Sequence, residues 1–268
     1  MNIENNKDKI IIEKVLNLIK EDYVIHKYFT DGVSSRVILL NNKYLIKQNE
    51  AETIKSEVTF FKTNTSSLFQ KLVYFEDNFS FVVYEFIPGN VMKKPINVKN
   101  TFEKIISIVK EYAEYQNDIF GYLDEPTSSW SEFLIQEFNS CTNIPENLID
   151  KNKVFGNIEK IKKFKINHRL LHGDLGTHNF IEENDNLVGV IDPQAISGDL
   201  IYDILFCYAS NVSFINSISL NDLYQYLDEP EEKIKLLLSL VIYFRISRCL
   251  KYHPQDLNIY VNLLNSLL

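Results

Sequence analysis

Apolar positions recur at helical spacing over residues 8–21 (DKIIIEKVLNLIKE), which predicts an opening helix. The pattern then changes. Residues 28–40 read as strand, turn, strand, Asn41-Asn42 is a tight-turn signal, and residues 43–48 return as a third strand. A helix is predicted over 50–63. Two more strands, 71–76 and 79–86, flank the Asp77-Asn78 turn. Ile87-Pro88-Gly89-Asn90 breaks this run. Beyond it the spacing is mainly helical, over 98–118, 129–139, 153–163, 199–211, 220–227 and 231–250. The exception is 169–192, where short strand-like runs alternate with turns. The change near residue 88 divides the chain into a β-rich part, 1–88, and a larger helical part, 89–268.

Composition narrows the class. The 268 residues carry 28 Lys and Arg against 36 Asp and Glu, a net charge of −8. Apolar residues make up 45%, an ordinary globular share with enough chain to bury a core. An acidic balance argues against nucleic acid as a partner, since phosphate recognition needs a basic face. It suits solubility or a cationic ligand. The N-terminus lacks the apolar core of a secretory signal, and Leu236–Phe244, the most apolar stretch, is shorter than the roughly 20 residues needed to cross a bilayer. Cys141, Cys207 and Cys249 are far apart and form no C-x-x-C pair, which argues against a disulfide framework or a thiolate metal site. The expectation is a cytoplasmic protein without a membrane partner, monomeric or weakly dimeric.

The chemistry concentrates in Leu170-Leu171-His172-Gly173-Asp174-Leu175-Gly176-Thr177-His178-Asn179-Phe180. It holds H-x-D-x-x-x-x-N, the spacing of a kinase catalytic loop. Asp192 ends the next apolar run. Phosphoryl transfer needs a carboxylate beside the acceptor hydroxyl, and magnesium to neutralise the triphosphate. Magnesium takes hard oxygen ligands, which Asn179 and Asp192 supply. Upstream, Lys47 ends a strand and would contact the α- and β-phosphates, with Glu57 on the following helix as its ion-pair partner. The turn Asp31-Gly32-Val33-Ser34-Ser35 has one glycine and is no G-x-G-x-x-G match, but its amides and the hydroxyls of Ser34 and Ser35 could hold phosphate. The plainer reading makes these residues turn formers, helix caps and surface charges.

The run HGDLGTHNF…GVIDPQAISGDLIYDI resembles the aminoglycoside phosphotransferase and choline kinase-like family, and VVYEFIPG resembles that family's hinge. The resemblance implies a two-lobed protein kinase-like α+β fold, with a small antiparallel β-sheet lobe and a larger helical lobe. It implies a small-molecule kinase that uses ATP, with GTP not excluded, and magnesium. By position, Asp174 matches the catalytic base, Asn179 and Asp192 the metal ligands, and Lys47 and Glu57 the phosphate lysine and its partner. Glu85 and Ile87 sit where hinge backbone binds adenine. His172 would buttress the loop, and Asp199 and Asp203 would brace the site from a helix start. The acceptor implied is a hydroxyl of an aminoglycoside or similar antibiotic, with choline, homoserine, a sugar or another amino-alcohol as the alternative.

Two departures stand out. Asp192 is followed by Pro193-Gln194, and Gly176-Thr177-His178 replaces the family's usual small-Pro-Gly stretch. His178 is either a substrate contact or an ordinary loop histidine. For a cationic acceptor, the candidate carboxylates are Asp124-Glu125 or Asp228-Glu229-Pro230-Glu231-Glu232; the second set also reads as a plain helix start. The 15 Tyr and 18 Phe allow an aromatic cage, though most must be core. A protein kinase is disfavoured because Asp199 follows Asp192 by only seven positions, leaving no activation segment. A metal-dependent hydrolase built on His168, His172, Asp174, His178 and Asp192 gives Lys47 and Glu57 no role. A non-catalytic nucleotide-binding relative would not need the full set.

Overall fold

The computed structural model describes residues 6–22, 26–29, 35–115 and 117–268. Helix α1 (Asn6–Ile19) is followed by β1 (His26–Phe29), β2 (Arg36–Leu40), β3 (Tyr44–Gln48), α2 (Ala51–Thr63), β4 (Leu72–Phe75) and β5 (Val82–Glu85). The five strands form one antiparallel sheet in the order β1-β2-β3-β5-β4. Side chains alternate across it, as the period of two requires. Val83 joins Ile38, Leu40 and Ile46 in a small core closed by Ile11, Ile12 and Val15 of α1. Its neighbours Val82 and Tyr84 point the other way and pack with Ile54 and Val58 of α2 in the main core. The α1 face is held at its edge by the buried Asp8, which pairs with Arg36 and accepts from the Tyr28 hydroxyl at 3.1 Å.

The chain then runs through β6 (Asn90–Val91), α3 (Val98–Lys110), β7 (Phe120–Tyr122), β8 (Pro126–Thr127), α4 (Trp130–Ser140), α5 (Lys151–Ile161) and β9 (His168–Leu171). A short 3-10 turn, Thr177–Asn179, leads into β10 (Phe180–Glu183) and β11 (Asn186–Val190). After β12 (Ile196–Asp199) come α6 (Ile201–Ser210), α7 (Val212–Ser217), α8 (Leu220–Tyr226), α9 (Glu231–Tyr252), a 3-10 turn at Pro254–Asp256, and α10 (Leu257–Leu267). Two small sheets frame the loop between β9 and β11: β11-β10-β6 and β8-β7-β12-β9. Caps fix several helix starts. The Ser129 hydroxyl accepts from the Glu132 amide, and Ser219 and Asp222 form a reciprocal capping box. Helix α9 is buried on most sides through Leu236–Phe244, and among the described residues no helix is long and apolar enough to cross a membrane.

The antiparallel sheet followed by a mainly helical part agrees with the expected fold class. The differences are local. The helix expected over 98–118 stops at Lys110, and Glu114 instead bridges to Arg169. Residues 196–199, expected to open a helix at 199, form a strand paired with β9 and β7. Strands β6, β7 and β8 have two or three residues each, too few to show a period in sequence; β6 and β7 pair with β10 and β12 far along the chain, and β8 pairs with β7. The turn at residues 30–34, with Ser34, lies outside the described residues.

Candidate active site

The loop after β9 is held from below. Asp203, in the first turn of α6, accepts from the His172 amide at 2.7 Å and the Gly173 amide at 3.0 Å. The His172 ring is fully buried, and its Nε2 donates to the Ile191 carbonyl at 2.9 Å. One imidazole therefore ties the loop to the residue before Asp192. Burial pushes the His172 imidazole down to about 4 and the Asp203 carboxyl up to about 7. Gly173 has φ +77°, and a Cβ there would lie 2.0 Å from the Gln194 carbonyl oxygen, so only glycine fits.

This support sets Asp174 at the mouth of the loop. Its Oδ2 accepts from His178 Nε2 at 2.8 Å and from Asn179 Nδ2 at 3.0 Å. Its Oδ1 faces the Arg248 guanidinium at 3.8 Å. Burial would raise the Asp174 carboxyl, but the His178 hydrogen bond and charge, together with Arg248, hold it below its ordinary value. Asn179 also donates to the Asp174 carbonyl at 2.9 Å, so its amide nitrogen is engaged and its oxygen is left without a protein donor among the described residues. Asp192 has φ +57°, an uncommon conformation for a non-glycine residue that recurs at functional sites.

Lys47 joins the sheet to this loop. Its ammonium lies 2.5 Å from Glu57 Oε1 and 2.9 Å from Asp192 Oδ1, the latter a contact across 145 positions. Lys47 is 7% and Glu57 2% exposed, whereas the Asp192 side chain is 51% exposed. Tyr84 donates to Glu57 Oε2 at 3.1 Å. Burial pushes the Glu57 carboxyl up. For Lys47 burial acts downward, but the two carboxylates outweigh it and hold the ammonium above its usual value. Sequence reading had set these residues beside Asp174 and Asn179, and the fold brings all five together.

Other expected residues fall less centrally. Ser35 lines the same cleft, its hydroxyl accepting from Asn49 at 3.0 Å. Glu85 and Ile87 do not line that cavity. The Glu85 amide donates to the Lys71 carbonyl, its carbonyl accepts from Gln70, and Ile87 packs toward Gly189. Asp199 is not near Asp174 in any contact; it pairs at 2.9 Å with Lys233, a buried lysine that also bonds Glu229. Within the acidic stretch 228–232, Glu229 pairs with Lys233 and Glu232 with Lys163. Asp124 borders the cavity beside Lys47 and Glu125 borders neither cavity. Neither candidate carboxylate set forms a cationic-amine pocket; Glu229 and Glu232 pair with lysines at the start of α9, in keeping with the helix-start reading. The hydrolase set is likewise not assembled: among the described residues no three His, Cys, Asp or Glu side chains converge as a metal site.

Two cavities meet at Asp174 and Gln194. One, about 860 Å³, runs along Lys47, Glu57, Asn179 and Asp192. The other, about 850 Å³, opens toward α9 and includes His178, Arg245 and Arg248. Sequence reading missed the two arginines. Their signal was present: they interrupt an apolar helix at i and i+3, which puts both on one face. Asp174 thus stands between a space beside the Lys47 ammonium and a second space open to solvent, an arrangement able to bring a nucleotide and an acceptor to one carboxylate.

No family model and no curated protein sequence matches this chain. Solved structures do. A thermostable mutant of aminoglycoside phosphotransferase APH(4)-Ia, in ternary complex with ADP and hygromycin B, superposes with a TM-score of 0.67 at 11% identity, covering 98% of each chain. The streptomycin–ATP ternary complex of APH(2″)-IIa gives 0.62 at 18% identity, over 97% of this chain and 95% of that one. The GDP and kanamycin complex of APH(2″)-IIIa gives 0.59 at 14% identity, over 96% and 98%. The chain has the two-lobed, kinase-like fold of the aminoglycoside phosphotransferases.

Proposed function

We propose that this protein is a small-molecule kinase that transfers the γ-phosphoryl group of ATP or GTP to an acceptor hydroxyl. The nucleotide-binding lobe is 1–88 and the lobe carrying the catalytic loop and acceptor site is 89–268. The observation that carries the reading is the convergence of Lys47, Glu57, Asp174, Asn179 and Asp192 across the cleft. Lys47 holds the α- and β-phosphates, positioned by Glu57. The Asp192 carboxylate and the Asn179 amide oxygen are hard donors that fit magnesium, which when bound neutralises triphosphate charge. His178 and Asn179 occupy Asp174 Oδ2, leaving Oδ1 to accept the acceptor hydroxyl's proton as the oxygen attacks. Because Asp174 is held below its ordinary value, it is ionised and ready across the neutral range. His172, Gly173 and Asp203 position the loop.

An aminoglycoside acceptor is supported by the antibiotic complexes of the three fold relatives. A second acceptor class, a sugar or hydroxylated metabolite, is favoured by a specific observation: Arg245 and Arg248 line the acceptor-side cavity and the acidic sets do not. The test is a coupled ADP- and GDP-release screen over aminoglycosides, choline, homoserine and sugars. Turnover lost in Asp174→Asn supports the assignment. Nucleotide-dependent phosphorylation that survives this substitution refutes it.

A further inference from the structure

The cavity on the acceptor side has a sign opposite to that of the whole chain. The protein carries −8, yet this cavity is lined by Lys93, Lys94, Arg245 and Arg248 against only two carboxylates, Asp174 and Asp256. One of those two, Asp174, already faces Arg248 and is assigned to the hydroxyl. The two arginines are held there by structure. Arg245 donates to the Ser210 carbonyl at 2.9 Å and stacks over the Tyr260 ring at 5.8 Å. Arg248 lies over the Phe206 ring at 5.1 Å. The Lys93 carbonyl accepts from Asn211 at 3.1 Å, and the exposed lysine pair lines the same cavity as the arginines. Neither Lys93 nor Lys94 has a salt-bridge partner among the described residues.

We propose that the acceptor bears an anionic group, a phosphate or carboxylate, bound by Lys93, Lys94 and Arg245 while its hydroxyl reaches Asp174. This rests on the kinase reading above and names the substrate class of that site. Guanidinium and ammonium donors suit such oxyanions by charge and by multiple N–H groups. A polycationic acceptor would instead meet four positive charges, two of them on held arginines, in a cavity where one free carboxylate, Asp256, is offered.

Isothermal titration calorimetry tests this at low ionic strength, with and without saturating AMP-PNP and magnesium. The probes are glucose 6-phosphate, gluconate, 3-phosphoglycerate, neutral glucose and kanamycin. The expected result is that at least one anion binds ten-fold or more tightly than glucose, and that kanamycin does not. The Lys93→Glu, Lys94→Glu double variant, changed at two exposed positions, should lose at least ten-fold of that preference. Kanamycin binding more tightly than every anion, or no anion exceeding glucose, overturns the proposal. An unchanged preference in the double variant also overturns it. Failure of AMP-PNP to bind would instead sink the kinase reading, and the nucleotide-free titrations would still decide the sign of the pocket.

Discussion

The Lys47–Glu57 pair offers the sharpest energetic test, because both groups are almost fully buried and only 2.5 Å apart. At an effective dielectric constant of about 20, their attraction is roughly 7 kcal/mol, and desolvation of two ions offsets it by several kcal/mol each. The pair as a whole therefore contributes little beyond a packed apolar pair. Breaking it is different. In Lys47→Met, Glu57 keeps only the Tyr84 hydroxyl and must take up a proton; from an ordinary value near 4.3, this costs about 4 kcal/mol at pH 7.5. In Glu57→Leu, Lys47 retains Asp192, but that carboxylate is half exposed and screened, so the loss is about 3 kcal/mol. The Lys47→Met, Glu57→Leu double variant removes both ions and should lie about 1–3 kcal/mol below the parent, the cost of the buried Tyr84 hydroxyl left without its acceptor. Urea unfolding of nucleotide-free protein at pH 7.5 measures all three. The sign with pH follows from Glu57. A carboxyl raised in the fold destabilises most above its folded value and not at all below its unfolded one, so the Lys47→Met penalty should shrink on acidification. Additive losses, with the double variant as unstable as both singles combined, would refute the reasoning.

Asp174→Asn should lower turnover by at least about two decades while nucleotide affinity changes less than a few-fold, measured by steady-state kinetics and nucleotide titration. Gly173→Ala puts a Cβ 2.0 Å from the Gln194 oxygen at φ +77°, so it should cost more than the ~1–2 kcal/mol of left-handed backbone alone and depress turnover too; thermal unfolding near that of the parent would contradict it. His172 and Asp203 give opposite pH slopes. The unfolded chain protonates histidine near 6.5 while His172 in the fold waits until about 4, so this residue removes stability as pH falls through that window. Asp203 holds its proton up to about 7 in the fold, so it adds stability as pH falls from 7 toward 4. Relative to the parent, His172→Gln should gain about 2 kcal/mol on going from pH 7 to pH 5 and Asp203→Asn should lose about as much, by urea unfolding; shifts of the same sign would refute the assignment.

The sequence alone determined the parts of this protein whose chemistry is local. Asp174 and Asn179 lie five positions apart in one loop, and a loop that short brings them together with little help. Asp192 follows by a single hairpin, and the alternation of apolar residues in β2, β3 and β5 marks the sheet that carries Lys47. Tertiary structure decided what depends on distant partners. Strand β6 is too short to hold a pattern and forms against β10, and β12 forms between β9 and β7, strands from well before it in the chain. Asp199, legible as a helix start, is drawn away from the site by the buried Lys233. The charge of the cavity lined by Arg245 and Arg248 is the clearest case. Summed over the chain the charge is −8, and that total suited a cationic ligand. A bound molecule responds to charges within about a Debye length, roughly 8–10 Å, not to the sum. Folding gathers Lys93, Lys94, Arg245 and Arg248 beside Asp174 from segments some 150 positions apart, and so reverses locally the sign that composition displays.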